Sequence, residues 1–190
     1  CLVIPNASDH ARPLIDRLGT AGAQAMQKVM RSGDTLAVAW GRTVLAVAEH
    51  LRMPDLQDVT VVQATGGTSA DFSYTPELCL SRAAQALSAR SVPIAAPALV
   101  SSAQLCKMLQ NEPIVQEQFR LLTAANRALF GVASMRPNST VHASGFFDSV
   151  SIQDYLSKGA VGFVAGAAGL SQFTESSVRD PAVLGLARKV

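Results

Sequence analysis

Charge is scarce in this chain of 190 residues: Asp, Glu, Lys and Arg make up only 16%, with 16 basic residues against 14 acidic ones and a net charge of +2. The charges are scattered, and no basic stripe provides the electrostatic footprint that nucleic acid requires. Aromatic residues are equally few, at 5%, with one tryptophan. Thirty alanines stand against ten aromatics, so the core is built from small side chains, as when helices lie close on a sheet. The three cysteines, Cys1, Cys79 and Cys106, are an odd number without metal-like spacing, which excludes a disulfide scaffold and predicts buried free thiols in a reducing cytoplasm. Thirteen glycines and nine prolines beside 48% hydrophobic residues exclude collagen-like and disordered chains. Long apolar runs are missing too. The longest weakly polar stretch, Gly159 to Leu170, has twelve residues, four of them glycine, against the roughly 20 needed to span a bilayer. The chain opens at Cys1 on an apolar strand with no basic stretch ahead of it, so a fragment is expected rather than a signal peptide.

What is present fits one domain of ordinary size. Short β-branched runs alternate with longer amphipathic stretches, which predicts an α/β domain with a mostly parallel sheet. Expected strands are Leu2–Ile4, Thr35–Trp40, Val59–Gln63, Val92–Ala95, Ala128–Ala133 and Ala160–Val164. Expected helices are Ala11–Met30, weakened by Gly19 and Gly22, then Val44–Arg52, Glu77–Ala89, Ser102–Gln110, Pro113–Ala125 and Ser149–Ser157. Pro76 suits a first helical turn. Arg136 to Phe147 reads as a polar loop, and Ala165 to Val190 has no assigned place.

Two loops fall at the carboxyl ends of adjacent expected strands, where open α/β sheets bind ligands. In Trp40-Gly41-Arg42-Thr43 the glycine removes a Cβ, Thr43 offers a hydroxyl, and the helix that follows presents unpaired N–H groups at the positive end of its dipole. Thr65-Gly66-Gly67-Thr68-Ser69 combines two glycines with three hydroxyl residues and suits a nest of N–H donors. Together they describe a site for phosphate or carboxylate; the plain alternative for each is a tight turn with hydroxyl caps. Neither loop is a Walker sequence or a G-x-G-x-x-G motif. Catalytic groups are thin. His10, His50 and His142 lie in unrelated segments, with His50 read as a partly exposed helical residue. Glu77 and Arg82 could face one pocket or could lie on a solvated helix face. Trp40 is either core or a stacking platform beside the site. No metal set, nucleophile or paired carboxylate stands out, so no cofactor is expected.

Ser32-Gly33-Asp34-Thr35-Leu36-Ala37-Val38-Ala39-Trp40-Gly41-Arg42-Thr43, Val61-Val62-Gln63-Ala64-Thr65-Gly66-Gly67, Pro93-Ile94-Ala95-Ala96-Pro97-Ala98-Leu99-Val100 and Gly159-Ala160-Val161-Gly162 resemble, in order and spacing, the sugar-binding domain of SorC-type transcriptional regulators. The resemblance covers residues 1–164, with 165–190 as an atypical, incomplete end. It implies a three-layer Rossmann-like fold similar to ribose-5-phosphate isomerase, glucosamine-6-phosphate deaminase and CoA-transferases. It further implies a non-catalytic sensor of a phosphorylated sugar, homo-oligomeric, whose parent protein reads operator DNA through a helix-turn-helix absent here. Carried onto this chain, Gly41, Arg42, Thr43, Gly66, Gly67 and Thr68 would hold the phosphate, while Glu77 and residues 134–145 would border the sugar. The chain departs from the family at Phe163, where an acidic residue is usual, at Gly131-Val132-Ala133, and from Gln172 onward. The rival is a sugar-phosphate isomerase or deaminase on the same fold, with Asp71, Glu77 or His142 moving the proton.

Overall fold

In the computed structural model, the residues described are 4, 13–68, 73–134, 139, 149–157, 160–164 and 187–188. Helix α1 (Leu14–Val29) is followed by β1 (Thr35–Val38), α2 (Arg42–His50), β2 (Thr60–Gln63), α3 (Pro76–Ala86), β3 (Arg90–Val92), α4 (Ala103–Gln110), α5 (Pro113–Thr123), β4 (Arg127–Leu129), β5 (Val132–Ser134), α6 (Ser149–Ser157), β6 (Ala160–Val164) and β7 (Ala187–Arg188). Local signals set several boundaries. Pro76 opens α3 behind Thr75, whose hydroxyl accepts from the Leu78 N–H at 3.2 Å. Ser102 caps α4 in the same way through Leu105 N–H at 3.1 Å, and Pro113 begins α5.

Four strands form a parallel sheet in the order β3-β2-β1-β4, with Thr35 opposite Thr60, Val61 opposite Ser91 and Ala37 opposite Ala128. Side chains alternate between two cores. Leu36, Val38, Val61 and Trp40 pack with Ala23, Met26, Val44, Val47, Cys79 and Leu80 beneath α1, α2 and α3. Ala37, Ala39, Val62 and Ala64 pack with Cys106, Val115 and Leu122 beneath α4 and α5. With both faces covered, the strands need no polar side, which explains their near-continuous apolar sequence. The chain winds outward from β1 to β3 and then returns to β4 on the other side of β1, so the strand order reverses between β1 and β4.

Three expectations need correction. A single sheet does not accommodate every strand: β5, β6 and β7 form a separate antiparallel sheet in that order. The strand expected over Ala128–Ala133 is divided at Phe130 and Gly131, and the chain leaves one sheet for the other at that glycine. Gly19 and Gly22 do not weaken α1; they are why it can approach α2. A Cβ at Gly19 would lie 2.7 Å from the Ala46 carbonyl oxygen, and one at Gly22 would lie 2.5 Å from a Val47 methyl. The remaining helices agree with expectation to within a few residues, and α2 begins earlier, at Arg42. Of the expected strand Leu2–Ile4 only Ile4 is among the described residues, and the polar loop after β5 and most of residues 165–190 lie outside them.

The amino edge of the sheet is tied across a long sequence separation by Asp34, which is 5% exposed. Its carboxylate accepts from the Asn126 amide at 2.8 Å and from the Arg31 backbone N–H at 2.9 Å, and Arg127 Nε stands 3.2 Å away. Asn126 Oδ1 in turn accepts from the Thr35 N–H at 3.1 Å, which fixes the start of β4 beside β1. Removing the carboxylate breaks three contacts whose donors lie on exposed or half-buried residues, so Asp34→Ala should lower unfolding stability in urea by about 1–3 kcal/mol. Gly19→Ala sets two effects against each other: alanine favours a helix interior by about 1 kcal/mol, while a methyl forced against backbone costs about 1–3 kcal/mol. Because the obstructing atoms are main chain, the clash should win, and a more stable Gly19→Ala variant would contradict the packing described here.

Candidate functional site

In a parallel sheet every strand ends on the same edge, so the segments after β1, β2 and β3 come together there. They meet beside the reversal of strand order between β1 and β4, the position where a crevice forms in doubly wound sheets. The end of β4 closes it: a Cβ on Gly131 would stand 3.7 Å from a Val44 methyl in the first turn of α2.

The segment after β1 carries Gly41 at φ 126°, ψ 163°. That region is essentially restricted to glycine. It lets the chain leave the sheet and enter α2 at once, and no side chain caps that helix. The first-turn N–H groups of α2 are therefore open to an outside acceptor, with exposed Arg42 and Thr43 beside them. This is the donor set the sequence predicts.

The segment after β2 differs from expectation in one respect. Gly66 is buried where a Cβ would come within 2.6 Å of the Ala96 carbonyl oxygen and 2.7 Å of the Ala98 nitrogen. Gly67 forms a parallel bridge to Pro97, donating to the Ala96 carbonyl at 3.0 Å and accepting from the Ala98 N–H at 2.8 Å. The Gly67 N–H is thus committed to the neighbouring loop. Thr68 stays half-buried at the rim. The uncapped main-chain donors at this edge therefore lie at the start of α2, and the Gly67 N–H is not among them.

Glu77, in the first turn of α3, places its carboxylate against the glycine loop: a Cβ on Gly67 would lie 3.2 Å from Glu77 Oε1. Arg82 goes elsewhere. It lines a groove of about 600 Å³ between α2 and α3 with Glu49, Arg52 and Gln85, a groove whose lining does not include Glu77. His50 is held at the far end of α2, its Nε2 2.9 Å from Asp16 Oδ1 and its Nδ1 2.7 Å from the Ala46 carbonyl. Trp40 is 8% exposed and stacks on Tyr74 with centroids 6.3 Å apart, so it pins the residues before α3 to the end of β1 and contributes to the core. Asp71 and His142 lie outside the described residues, as does most of 134–145. Among the described residues no cluster of three His, Cys, Asp or Glu side chains could hold a metal ion.

Gln63, which escapes sequence reasoning, ends β2 inside the core, and Thr65 of the glycine loop is buried just beyond it; they are 1% and 4% exposed. Gln63 Nε2 donates to the Thr65 carbonyl at 2.5 Å, while Gln63 Oε1 and Thr65 Oγ1 have no hydrogen-bonding partner. A buried polar atom left unmet costs about 1–3 kcal/mol. The only sequence signal for Gln63 was a glutamine closing a largely apolar strand.

Cys79 sits under both segments, its Sγ 4.0 Å from the Gly41 carbonyl oxygen and 3.8 Å from that of Tyr74. Cys79 and Cys106 are buried, as the sequence predicts, and Cys1 lies outside the described residues. Burial pushes the Cys79 thiol up from 9.0 to about 11.

A model of the family described as "Putative sugar-binding domain" matches residues 1–168. The chain belongs to that family. It is 33% identical over 158 residues to the uncharacterized transcriptional regulator YjhU of Escherichia coli strain K12, covering 83% of this chain and 48% of that protein. It is 31% identical over 157 residues to the transcriptional regulator LsrR of Enterobacter sp. strain 638, with 81% and 46% covered. The chain thus spans about half the length of the curated relatives it matches. Among solved structures, a domain of a "possible sugar-binding transcriptional regulator" from Arthrobacter aurescens TC1 is 27% identical with a TM-score of 0.70, over 84% of this chain and 63% of that one. The full-length sorbitol operon regulator SorC of Klebsiella pneumoniae shares the fold, with a TM-score of 0.74 at 23% identity over 84% of this chain and 53% of that one. The fold and family expected from the SorC resemblance are therefore found, and the enzyme alternative gains no support. Among the described residues no helix is long and apolar enough to cross a membrane.

Two outcomes follow from this geometry. Gly41→Ala forces a side chain into a glycine-only backbone region and should cost about 1–3 kcal/mol of stability in urea, although open space surrounds the position. The Cys79 thiol titrates higher when folded than unfolded, so its contribution is complete below pH 9 and is lost as pH rises toward about 11. Cys79→Ala should flatten that alkaline fall in stability, which for a shift of this size reaches at most about 3 kcal/mol.

Proposed function

We propose that residues 1–164 are an effector-binding domain that recognises a phosphorylated sugar or related metabolite without transforming it. The observation that carries this reading is the open N-terminus of α2, set beside the Gly66–Thr68 wall at the reversal point of the sheet. Gly41, Arg42 and Thr43 hold the phosphate, with Gly66, Gly67 and Thr68 as the facing wall and Glu77 bordering the sugar. Glu77 is the one described carboxylate placed at the glycine loop, and a lone carboxylate can accept a sugar hydroxyl without implying proton transfer. The SorC resemblance and the regulators among the relatives favour a sensor over an enzyme.

In this reading the parent protein is a cytoplasmic regulator that binds operator DNA through a separate domain, while this chain associates with copies of itself and needs no cofactor. A ligand that contacts one inter-subunit arrangement better than another shifts the population toward it, and the tethered DNA-reading domain reports the shift.

Thermal unfolding in the presence of ribose 5-phosphate, glucose 6-phosphate and fructose 6-phosphate, each against its unphosphorylated parent, tests the reading. At least one phosphosugar should raise Tm, and its parent should not. Equal response to parent and phosphosugar, or none to any of the three, would sink it. Gly67→Val should displace the Glu77 carboxylate and abolish the stabilisation, because the added side chain needs the space that carboxylate occupies.

A further inference from the structure

The unpartnered atoms of Gln63 and Thr65 are set apart from the donors of α2 by their chemistry. A phosphate near neutral pH presents oxygens that accept hydrogen bonds, and the N–H groups of α2 serve it. Gln63 Oε1 can only accept, so it requires a partner that donates. The orientation of the amide is fixed, because its NH2 group donates to the Thr65 carbonyl. That bond also turns the side chain along the strand toward the carboxyl edge, where the segments after β1, β2 and β3 meet. Thr65 Oγ1 can donate or accept, and it too is unserved. Gln63 is two residues from Val61 in β2 and so lies on the same face of the strand, and Thr65 follows in the buried turn beyond it.

Two unmet polar atoms within three residues, one at the end of β2 and one in the buried turn that follows it, are a local inconsistency of the kind that concentrates at binding sites. Valine or leucine at either position would fill the same core without the loss. We infer that Gln63 and Thr65 read the hydroxyl groups of the ligand, and so determine which polyol is accepted, while the N-terminus of α2 holds the phosphate. This rests on the reading of the site as one for a phosphorylated sugar. The two atoms are covered in this state, so a sugar hydroxyl reaches them after a rotamer change of Gln63 or a shift of the turn at 65–68. Recognition here is therefore coupled to a local adjustment of the loop that Gly66 locks to Ala96 and Ala98. A site that hydrogen-bonds a hydroxyl also rejects analogues lacking it, because the protein groups are then left unpaired.

Isothermal titration of the 190-residue chain with ribose 5-phosphate, glucose 6-phosphate and fructose 6-phosphate tests the inference, together with Tm of the free variants. Gln63→Met and Thr65→Val preserve volume and remove the unpaired atoms, and Gln63→Met also removes the donor to the Thr65 carbonyl. Each should weaken the best phosphosugar at least about tenfold, Thr65→Val without lowering the Tm of the free protein. Thr65→Ser keeps the hydroxyl and should bind within about threefold of the parent sequence. If Gln63→Met and Thr65→Val bind as tightly as the parent sequence, the two atoms are served by trapped water and the inference is overturned. It is equally overturned if Thr65→Ser loses as much affinity as Thr65→Val, since packing then accounts for the loss. Should Gln63→Met fail to fold, the Thr65 pair decides alone. Failure of the unaltered chain to bind any of the three phosphosugars would overturn the underlying functional reading instead.

Discussion

The candidate site depends on the absence of one carbon atom. Gly66 lets the loop after β2 lie flat on the loop after β3, where a Cβ would meet main-chain atoms at 2.6–2.7 Å. Because those obstructing atoms are backbone, no rotamer change can make room. The approach permits the bridge between Gly67 and Pro97, which extends parallel pairing beyond the end of β2. That bridge holds the loop after β2 to the loop after β3, and Glu77 rests against Gly67. Without the contact, the two segments would still follow adjacent strands, but nothing would fix their spacing.

Gly41 serves the same arrangement differently. At Gly66 glycine is required by crowding; at Gly41 it is required by backbone angle, with empty space around it. The turn it permits sends α2 away from the sheet with its first N–H groups uncapped, whereas Thr75 caps the neighbouring α3. Glycines elsewhere join α2 to α1, so the helix that begins at the site is also packed along its length against the first helix of the domain. His50 and Asp16 close that contact at the far end.

Much of this was legible in the sequence, for identifiable reasons. Strands buried on both faces leave unbroken apolar runs, and Thr75-Pro76 and Pro113 mark helix starts chemically, so β1, β2, α3 and α5 were readable. Gly41 and Gly66 were readable as loop glycines after strands, and their place at the carboxyl edge followed from the parallel order. What could not be read was where each backbone group spends its hydrogen bonds. The Gly67 N–H looked available to an anion because its acceptor, the Ala96 carbonyl, is distant in sequence. Gly19 and Gly22 looked like weaknesses because propensity counts only the helix itself, and their partners lie on α2. The break at Phe130-Gly131 was hidden because two short strands in different sheets join without a polar turn. Thr65 was readable as a hydroxyl of the glycine loop, but Gln63 was not, because a single polar residue closing a strand carries no pattern.

Amide chemical shifts measured during titration of the isotopically labelled chain with the most stabilising phosphosugar test the central claim most directly. Saturable shifts should centre on the amides of Arg42, Thr43 and Gly66 to Thr68, with the unphosphorylated parent sugar leaving the α2 amides unmoved. Saturable shifts centred instead on the groove between α2 and α3, around Arg52, Arg82 and Gln85, with the start of α2 silent, would contradict it.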